Sequence, residues 1–148
     1  MPDKLNIAIM KESDLPAVAE LERICFSDPW SENLLREELE QSYSLFLTAF
    51  MGDEVAGYIG AQHLGDCAYI CNVAVSPAFR RQHIGYALMD AQIGLARLAG
   101  MNEVTLEVRT SNEAARALYE KIGFVHLGTR PGFYSNPKED AEIYSFYL

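Results

Sequence analysis

The sequence predicts an α/β fold: a mixed, mostly antiparallel sheet with one central parallel strand pair and helices on both faces. The chain has 148 residues, about half of them apolar, which is enough for one hydrophobic core but not for two. Its middle follows the order strand, helix, strand, helix, strand, and a strand–helix–strand unit pairs its two strands in parallel. We therefore expect one domain spanning residues 1–148.

The front half begins with an apolar run at 7–10 and continues with two predicted helices. Ser13 is a candidate N-cap for the first helix, in which apolar residues recur at helical spacing. Asp28 and Pro29 end this helix, and Ser31 is the candidate N-cap of the second. The front half thus supplies a helix pair joined by a bend.

Three strands and a longer helix follow. The strands are predicted at 45–50, 55–62 and 67–75, and Gly52 suits a tight hairpin between the first two. Apolar residues then recur at helical spacing and form one face of an amphipathic helix at 84–99. That face fits packing against a sheet.

The back half supplies the remaining elements. Residues 104–108 alternate with a period of two, which predicts a strand with one apolar and one polar face. Residues 110–113 have the spacing of a capping box, and the helix that follows ends at Gly123. Closing strands are predicted at 125–129 and 143–148.

Charge and hydropathy argue against two classes of partner. The formal charge is -9 with 12 basic residues, so the attraction that drives nucleic-acid binding is missing. No apolar run approaches the roughly 20 residues that span a bilayer, and residues 1–7 lack the apolar stretch of a leader. We expect a cytoplasmic protein that binds neither nucleic acid nor membranes. Its acidic surface either favours a cationic acceptor or serves only solubility.

The cysteines and histidines predict neither a disulfide framework nor a metal. The three cysteines include no Cys-x-x-Cys pair and are expected to be reduced thiols. His63, His83 and His126 are widely spaced and lack the clustering of a zinc site. We therefore expect no metal cofactor.

The turn between strand 67–75 and helix 84–99 has the features of an anion site. A helix N-terminus offers unpaired N–H groups, and Gly85 leaves room for a close approach. Arg80 and Arg81 add cationic donors. An ordinary glycine-containing helix start with arginines in solvent gives the same pattern. The turn alone therefore leaves both interpretations open.

The pattern Gln82-x-x-Gly85-x-Ala87 resembles the Gln/Arg-x-x-Gly-x-Gly/Ala signature of the GNAT acetyltransferases, which also follows a strand and opens a helix. The resemblance implies acetyl-CoA as cosubstrate. Its pyrophosphate would bind backbone amides at 81–86, and the strand edge at 73–75 would pair with the pantetheine arm and supply an oxyanion-hole amide. The sequence departs from the pattern at His83, where many members of the family have glycine.

Residues 106–124, LEVRTSNEAARALYEKIGF, resemble the family more specifically. They match the form LEVRxSNxxAxxLYxxxGF of its RimI-like branch, the ribosomal-protein-alanine N-acetyltransferases. That resemblance implies Glu107 as general base and Tyr119 as general acid in a direct attack on the thioester, with Asn112 bound to the cofactor arm. The full set of predicted cofactor-binding residues is Val73, Ala74, Val75, Arg80, Arg81, Gln82, His83, Ile84, Gly85, Tyr86 and Asn112.

Simple chemistry supports one base and one acid. An α-amine with a pKa near 8 must lose a proton, and a thiolate whose parent thiol has a pKa of about 8.5 must leave. Without the resemblance, a lone strand residue such as Glu107 is usually solvated, and a helix residue such as Tyr119 usually serves packing. A helix cap explains Asn112 equally well.

Aromatic residues outside these motifs predict the acceptor site. Phe26, Trp30 and Tyr134 are expected to line a groove, with Glu139 or Asp140 near the acceptor's positive charge. Core packing is the alternative for Phe26 and Trp30.

The resemblance implies a protein N-terminal alanine as acceptor, such as that of a small-subunit ribosomal protein. We also expect a monomer or weak homodimer. Acetylation of lysine or small amines, or a weakly catalytic acetyl-CoA-binding partner subunit, are the alternatives.

Overall fold

Residues 4–148, the part of the chain that the computed structural model describes, form one seven-stranded sheet. Residues 1–3, at the start of the segment expected to lack a leader, lie outside it. The strands are β1 Leu5–Ile9, β2 Ser44–Met51, β3 Glu54–Leu64, β4 Cys67–Val75, β5 Glu103–Arg109, β6 Val125–Tyr134 and β7 Glu139–Tyr147. Their order is β1-β2-β3-β4-β5-β7-β6, and β4–β5 is the one parallel pair among the described strands. The predicted mixed sheet is confirmed.

Helices cover both faces of this sheet, as predicted. They are α1 Leu15–Cys25, α2 Glu32–Leu39, α3 Ile84–Leu98 and α4 Glu113–Ile122. On one face α1 and α2 enclose a cluster with Phe46 and Tyr58. On the other, α3 and α4 bury a larger cluster that includes Leu88 and Leu106. The apolar stripe of α3 and the alternation of β5 supply this second cluster.

The two front helices are capped differently. Ser31 caps α2 as predicted, because its Oγ accepts the N–H of Leu34 at 3.1 Å. The predicted cap at Ser13 is wrong, since this residue lies inside a short 3-10 turn. There the carboxylate of Asp14 accepts the N–H of Lys11 at 2.9 Å, so the chain makes one tighter turn before the α-helix begins.

The predicted capping box before α4 is also wrong. The Thr110 hydroxyl donates to the buried carboxylate of Glu142 on β7 and is not available to cap the helix. Asn112 is the N-cap instead, because its Oδ1 accepts the N–H of Ala115 at 3.2 Å. Asn112 is therefore a helix cap, as one of the two interpretations of the sequence expected.

The closing hairpin is longer than predicted. β6 continues beyond 129 to Tyr134, and β7 begins at Glu139 instead of 143. The extension lies at the sheet edge and is mostly exposed, so its sequence lacks the apolar alternation that marks a buried strand. Its register pairs Tyr134, at the end of β6, with Glu139, at the start of β7.

A gap opens between the two parallel strands. β4 and β5 pair only at their starts, from Cys67 with Glu103 to Tyr69 with Thr105. Beyond this point β4 has an extra residue, Cys71, relative to β3. Such a bulge bends a strand and ends regular pairing. The unpaired edges of β4 and β5 therefore face each other across the gap.

None of the helices found in residues 4–148 is long and apolar enough to cross a membrane. Within the same stretch, no three or more His, Cys, Asp or Glu side chains are grouped in the way that binding a metal ion requires. Cys25, Cys67 and Cys71 are half-buried free thiols.

Candidate active site

The gap between β4 and β5 opens into a cavity of about 500 Å³. Its walls come from the two strand edges, the loop between α1 and α2, the first turn and body of α4, and the end of β6. The predicted residues that line it are Phe26, Trp30, Val73, Glu107, Asn112, Tyr119 and Tyr134. Elements from both halves of the chain thus meet at one site.

The carboxylate of Glu107 is the most distinctive group in this cavity. Its side chain is only 10% exposed, and its Oε1 accepts the Tyr69 hydroxyl at 2.9 Å. Its Oε2 is buried and has no hydrogen-bond partner among residues 4–148, although Arg130 Nη1 lies 3.5 Å away. An unpartnered buried oxygen is costly unless a ligand completes it. This oxygen is therefore available to accept a proton from a molecule in the cavity.

Tyr119 approaches the cavity from the opposite face of the sheet. Leu106, Val108 and Tyr119 share the core cluster beneath α3, whereas strand alternation turns Glu107 to the other face. The Tyr119 ring packs against Phe124 at 5.7 Å. Burial raises the pKa of Tyr119 to about 12, with a smaller contribution from Tyr134. Its phenol therefore stays protonated at neutral pH.

Tyr134 is held over the cavity by Arg109, a residue not among those predicted from the sequence. The guanidinium of Arg109 stacks on the Tyr134 ring at 4.4 Å and donates to Pro137 O at 2.9 Å. Burial and the negative charge of Glu107 raise the pKa of Tyr134 to about 12. Arg109 could have been predicted from its position, because residues two apart on a strand share a face and Arg109 follows Glu107 on β5.

The two acidic residues predicted to contact the acceptor make other contacts and do not line the cavity. Glu139 accepts the N–H of Ser111 at 2.6 Å and pairs with Arg109 at 3.2 Å. The hydrogen bonds from Ser111, and then Arg109, lower the pKa of Glu139. Asp140 accepts the N–H of Gly132 at 2.8 Å. Their contact with an acceptor remains a prediction.

The turn before α3 has an unusual backbone. Arg81 has φ 66° and His83 has φ 60°, so two left-handed residues flank Gln82. Turns of this kind direct successive N–H groups into a concavity that suits an anion, here at a helix N-terminus. Gln82 and Tyr86 are exposed, whereas Ile84 is buried in the core and offers only its backbone.

The absence of a side chain at Gly85 leaves room for a phosphate group beside the helix N-terminus. A Cβ at Gly85 would lie 3.4 Å from Leu118 and 3.8 Å from Val75, both ordinary contacts. Packing therefore does not demand glycine here. A pyrophosphate would approach the N–H groups of this turn at the N-terminus of α3.

The free edge of β4 presents alternate residues to the gap. Ser76 donates its N–H to Ala56 O in β3 at 2.7 Å. Alternation then directs the backbone groups of Ala74 to β3 and those of Val73 and Val75 to the gap. Arg80 Nε donates to Val75 O at 3.4 Å, and the N–H of Val73 donates to Asn72 Oδ1 at 3.2 Å. Within residues 4–148, the N–H of Val75 is therefore the edge donor that could pair with an extended ligand.

We expect His83→Gly to raise the free energy of unfolding by about 0.5–1 kcal/mol, because glycine adopts the left-handed conformation without strain. The His83 side chain is exposed and makes no capping hydrogen bond, so the affinity for acetyl-CoA should be unchanged. Urea denaturation and calorimetric titration measure the two quantities. His83→Ala is the matched control, since it removes the imidazole but keeps a Cβ; equal stabilisation by both variants would contradict the backbone explanation.

A buried carboxylate that the sequence did not predict lies beneath the cavity. Glu22 is 0% exposed and accepts three donors, each at 2.8 Å: the N–H of Trp30, the hydroxyl of Tyr58 and Nδ2 of Asn72. Burial raises the pKa of Glu22, and hydrogen bonds from Trp30 and Tyr58 oppose the rise. Its burial could have been predicted from the sequence, because Glu22 follows Val18 by four residues and so lies on the apolar side of α1.

Comparisons of the sequence and of the structure with known proteins both find acetyltransferases. Residues 15–124 match the sequence profile of the Acetyltransferase (GNAT) family. A [ribosomal protein bS18]-alanine N-acetyltransferase of Salmonella typhimurium is 36% identical over 93% of this chain and 94% of its own. The crystal structure of the ribosomal-protein-S18-alanine N-acetyltransferase from Escherichia coli has a TM-score of 0.90 and 31% identity, covering 98% of this chain and 94% of that one. NAA60 of Arabidopsis thaliana, solved in complex with acetyl-CoA, shares the fold with a TM-score of 0.87 at 16% identity, covering 98% of this chain and 100% of that one.

Proposed function

Because this chain belongs to the GNAT acetyltransferase family, we propose that it transfers an acetyl group from acetyl-CoA to the N-terminal α-amine of a protein. The acceptor is a polypeptide beginning with alanine, such as a small-subunit ribosomal protein. The names of the Salmonella and Escherichia relatives support this choice. The observation that carries the proposal is the unpartnered Oε2 of Glu107 inside a cavity between two diverging strands.

The chain has suitable groups for the cosubstrate. Acetyl-CoA supplies an acyl group activated as a thioester. The N–H groups at 81–86 would hold its pyrophosphate, and Arg80 and Arg81 add positive charge near it. The N–H of Val75 would pair with an amide of the pantetheine arm, as an added strand does, whereas the N–H of Val73 donates to Asn72 Oδ1 at 3.2 Å.

Glu107 and Tyr119 assist the reaction from the two faces of the sheet, Glu107 by accepting a proton and Tyr119 by donating a hydrogen bond. Glu107 takes a proton from the incoming amine, directly or through a water, because a protonated amine is not a nucleophile. Tyr119 donates to the sulfur that leaves on the opposite side. The attack is direct, so the half-buried cysteines are not needed as nucleophiles.

The acceptor enters beside a bridge between two loops. Ser27 Oγ donates to Asn136 O at 2.5 Å, and Asn136 Nδ2 donates to Asp28 Oδ1 at 3.1 Å. This bridge joins the α1–α2 loop, which carries Phe26 and Trp30, to the loop after β6. Ser27 and Asp28 line the cavity, so the bridge borders its opening. Such a border favours a chain end as acceptor over an internal segment, which would have to enter and leave beside the bridge.

The proposal also covers the remaining properties of the protein. It treats residues 1–148 as one GNAT domain, acting in the cytoplasm as a monomer or weak homodimer. The charge of -9 supports a protein acceptor with a basic N-terminal segment and argues against nucleic acid. Membranes are not part of the proposed activity.

The proposed function is tested by acetylating a peptide library with varied first and second residues. We expect mass spectrometry to locate the acetyl group on the α-amine, with alanine preferred at the first position. The matched control is each peptide with a blocked N-terminus and one internal lysine. Acetylation only of that lysine or of small amines would contradict the proposal, and acetyl-CoA binding without turnover would favour a partner subunit instead.

A further inference from the structure

The contacts of Glu22 fix the orientation of a side chain in the cavity. An ionised carboxylate can only accept hydrogen bonds, and all three partners of Glu22 present donors. The carboxamide of Asn72 accordingly turns its Nδ2 to Glu22, at 2.8 Å, and its Oδ1 away. The backbone agrees with this orientation, because the N–H of Val73 donates to Asn72 Oδ1 at 3.2 Å.

Asn72 stands at the β4 bulge, where the strand leaves β5, and it lines the cavity together with Glu107. A carboxamide oxygen has two lone pairs, and Val73 uses one of them. Within residues 4–148 no other donor occupies the second, which is available to a donor in the cavity. Glu22 itself does not line the cavity, so it reaches a ligand only through Asn72 and the backbone of Trp30.

An α-ammonium group offers three N–H donors, of which Glu107 takes one. We propose that Asn72 Oδ1 binds the α-amine of the acceptor and that Glu22 is the residue that positions it. This inference rests on the proposed function and assigns the recognition of the amine to that same cavity. The second acceptor holds the nitrogen in place while Glu107 removes a proton from it.

The first test removes the two residues singly. We expect Asn72→Ala to raise the KM for the acceptor peptide by about tenfold to a hundredfold, the range for a lost polar contact in a buried site. Glu22→Gln should have the same effect, because the Nε2 of the introduced glutamine makes Asn72 turn its carboxamide around. The Nδ2 of Asn72 would then face the N–H of Val73, donor against donor. The KM for acetyl-CoA should stay the same in both variants.

The decisive variant exchanges the two functional groups. In Glu22→Gln/Asn72→Asp, the introduced glutamine donates its Nε2 to the introduced aspartate, whose other oxygen again faces Val73 and the cavity. We expect this double variant to recover the acceptor KM to within about threefold of wild type, since the pair at 22 and 72 again joins a donor to an acceptor and an oxygen again faces Val73. The Tyr58 hydroxyl, which donates to Glu22 in the wild type, would then accept the second hydrogen of Nε2. A purely structural need for Glu22 would leave the exchange as impaired as Glu22→Gln alone.

The matched control uses a second asparagine–carboxylate pair outside the cavity. Asn102 Nδ2 donates to Asp66 at 2.8 Å in an exposed position, and Asn102→Ala should change neither KM. An unchanged acceptor KM in Asn72→Ala, or no recovery in the exchanged pair when both proteins fold, would overturn the inference.

Failure of the proposed function is seen separately, in the wild-type protein, as a product not acetylated on the α-amine. The KM series is then run with the amine that does react.

Discussion

Glu107→Gln is expected to lower kcat by about a hundredfold to ten-thousandfold, the usual contribution of a general base. Glutamine keeps the size of the side chain and an oxygen that can accept the Tyr69 hydroxyl, now bonded to Glu107 at 2.9 Å. The change replaces the unpartnered Oε2 with an amide nitrogen that takes no proton. Steady-state rates with an alanine-first peptide measure the loss, and calorimetric titration should show unchanged affinity for acetyl-CoA.

The pH dependence sharpens this prediction. A free amine needs no base, so the deficit of Glu107→Gln should shrink as the pH rises through about 8, the ordinary pKa of an α-amine. Glu103→Gln is the matched control, because Glu103 shares the strand face but contacts Ser145 at 2.9 Å and does not line the cavity. A variant at 107 that binds acetyl-CoA normally and turns over as fast as wild type would refute the base assignment.

The buried elements could be predicted from the sequence almost to the residue. The predicted strand at 67–75 is β4, Cys67–Val75, and the predicted helix at 84–99 is α3, Ile84–Leu98. Both have a strong apolar pattern because both pack in the core. β6 runs past its predicted end because edge strands are stabilised by backbone pairing, which leaves little trace in side-chain hydropathy.

The site was predictable where local motifs carry it and not where distant elements meet. The motif residues Glu107 and Tyr119 do line one cavity, although their chemical roles stay predictions. The contact between Glu22 and Asn72 joins residues 50 positions apart and depends on a bulge that the sequence does not mark. A carboxylate on an apolar helix face indicates burial, but its partners are known only from the structure.

The environment of Tyr119 bears on how it acts. Burial raises the pKa of Tyr119 to about 12, and complete proton transfer to a thiolate whose thiol has a pKa of about 8.5 would be roughly 5 kcal/mol uphill. A hydrogen bond from the neutral phenol to the leaving sulfur avoids that cost. The pKa also keeps the phenol neutral, and so able to donate, at every pH below about 11.

Tyr119→Phe should therefore lower kcat by about a hundredfold or more, the effect of losing a donor aimed at developing negative charge. Phenylalanine keeps the ring contact with Phe124 at 5.7 Å, so the fold and the KM of the acceptor should change little. Because the phenol donates a hydrogen bond without giving up its proton, the rates of wild type and variant should keep a constant ratio between about pH 6 and 10. Tyr144→Phe is the matched control, since Tyr144 packs against Tyr119 at 6.3 Å but its hydroxyl bonds Glu120 outside the cavity. An equal loss in both variants would mean that packing, not the Tyr119 hydroxyl, accounts for the effect.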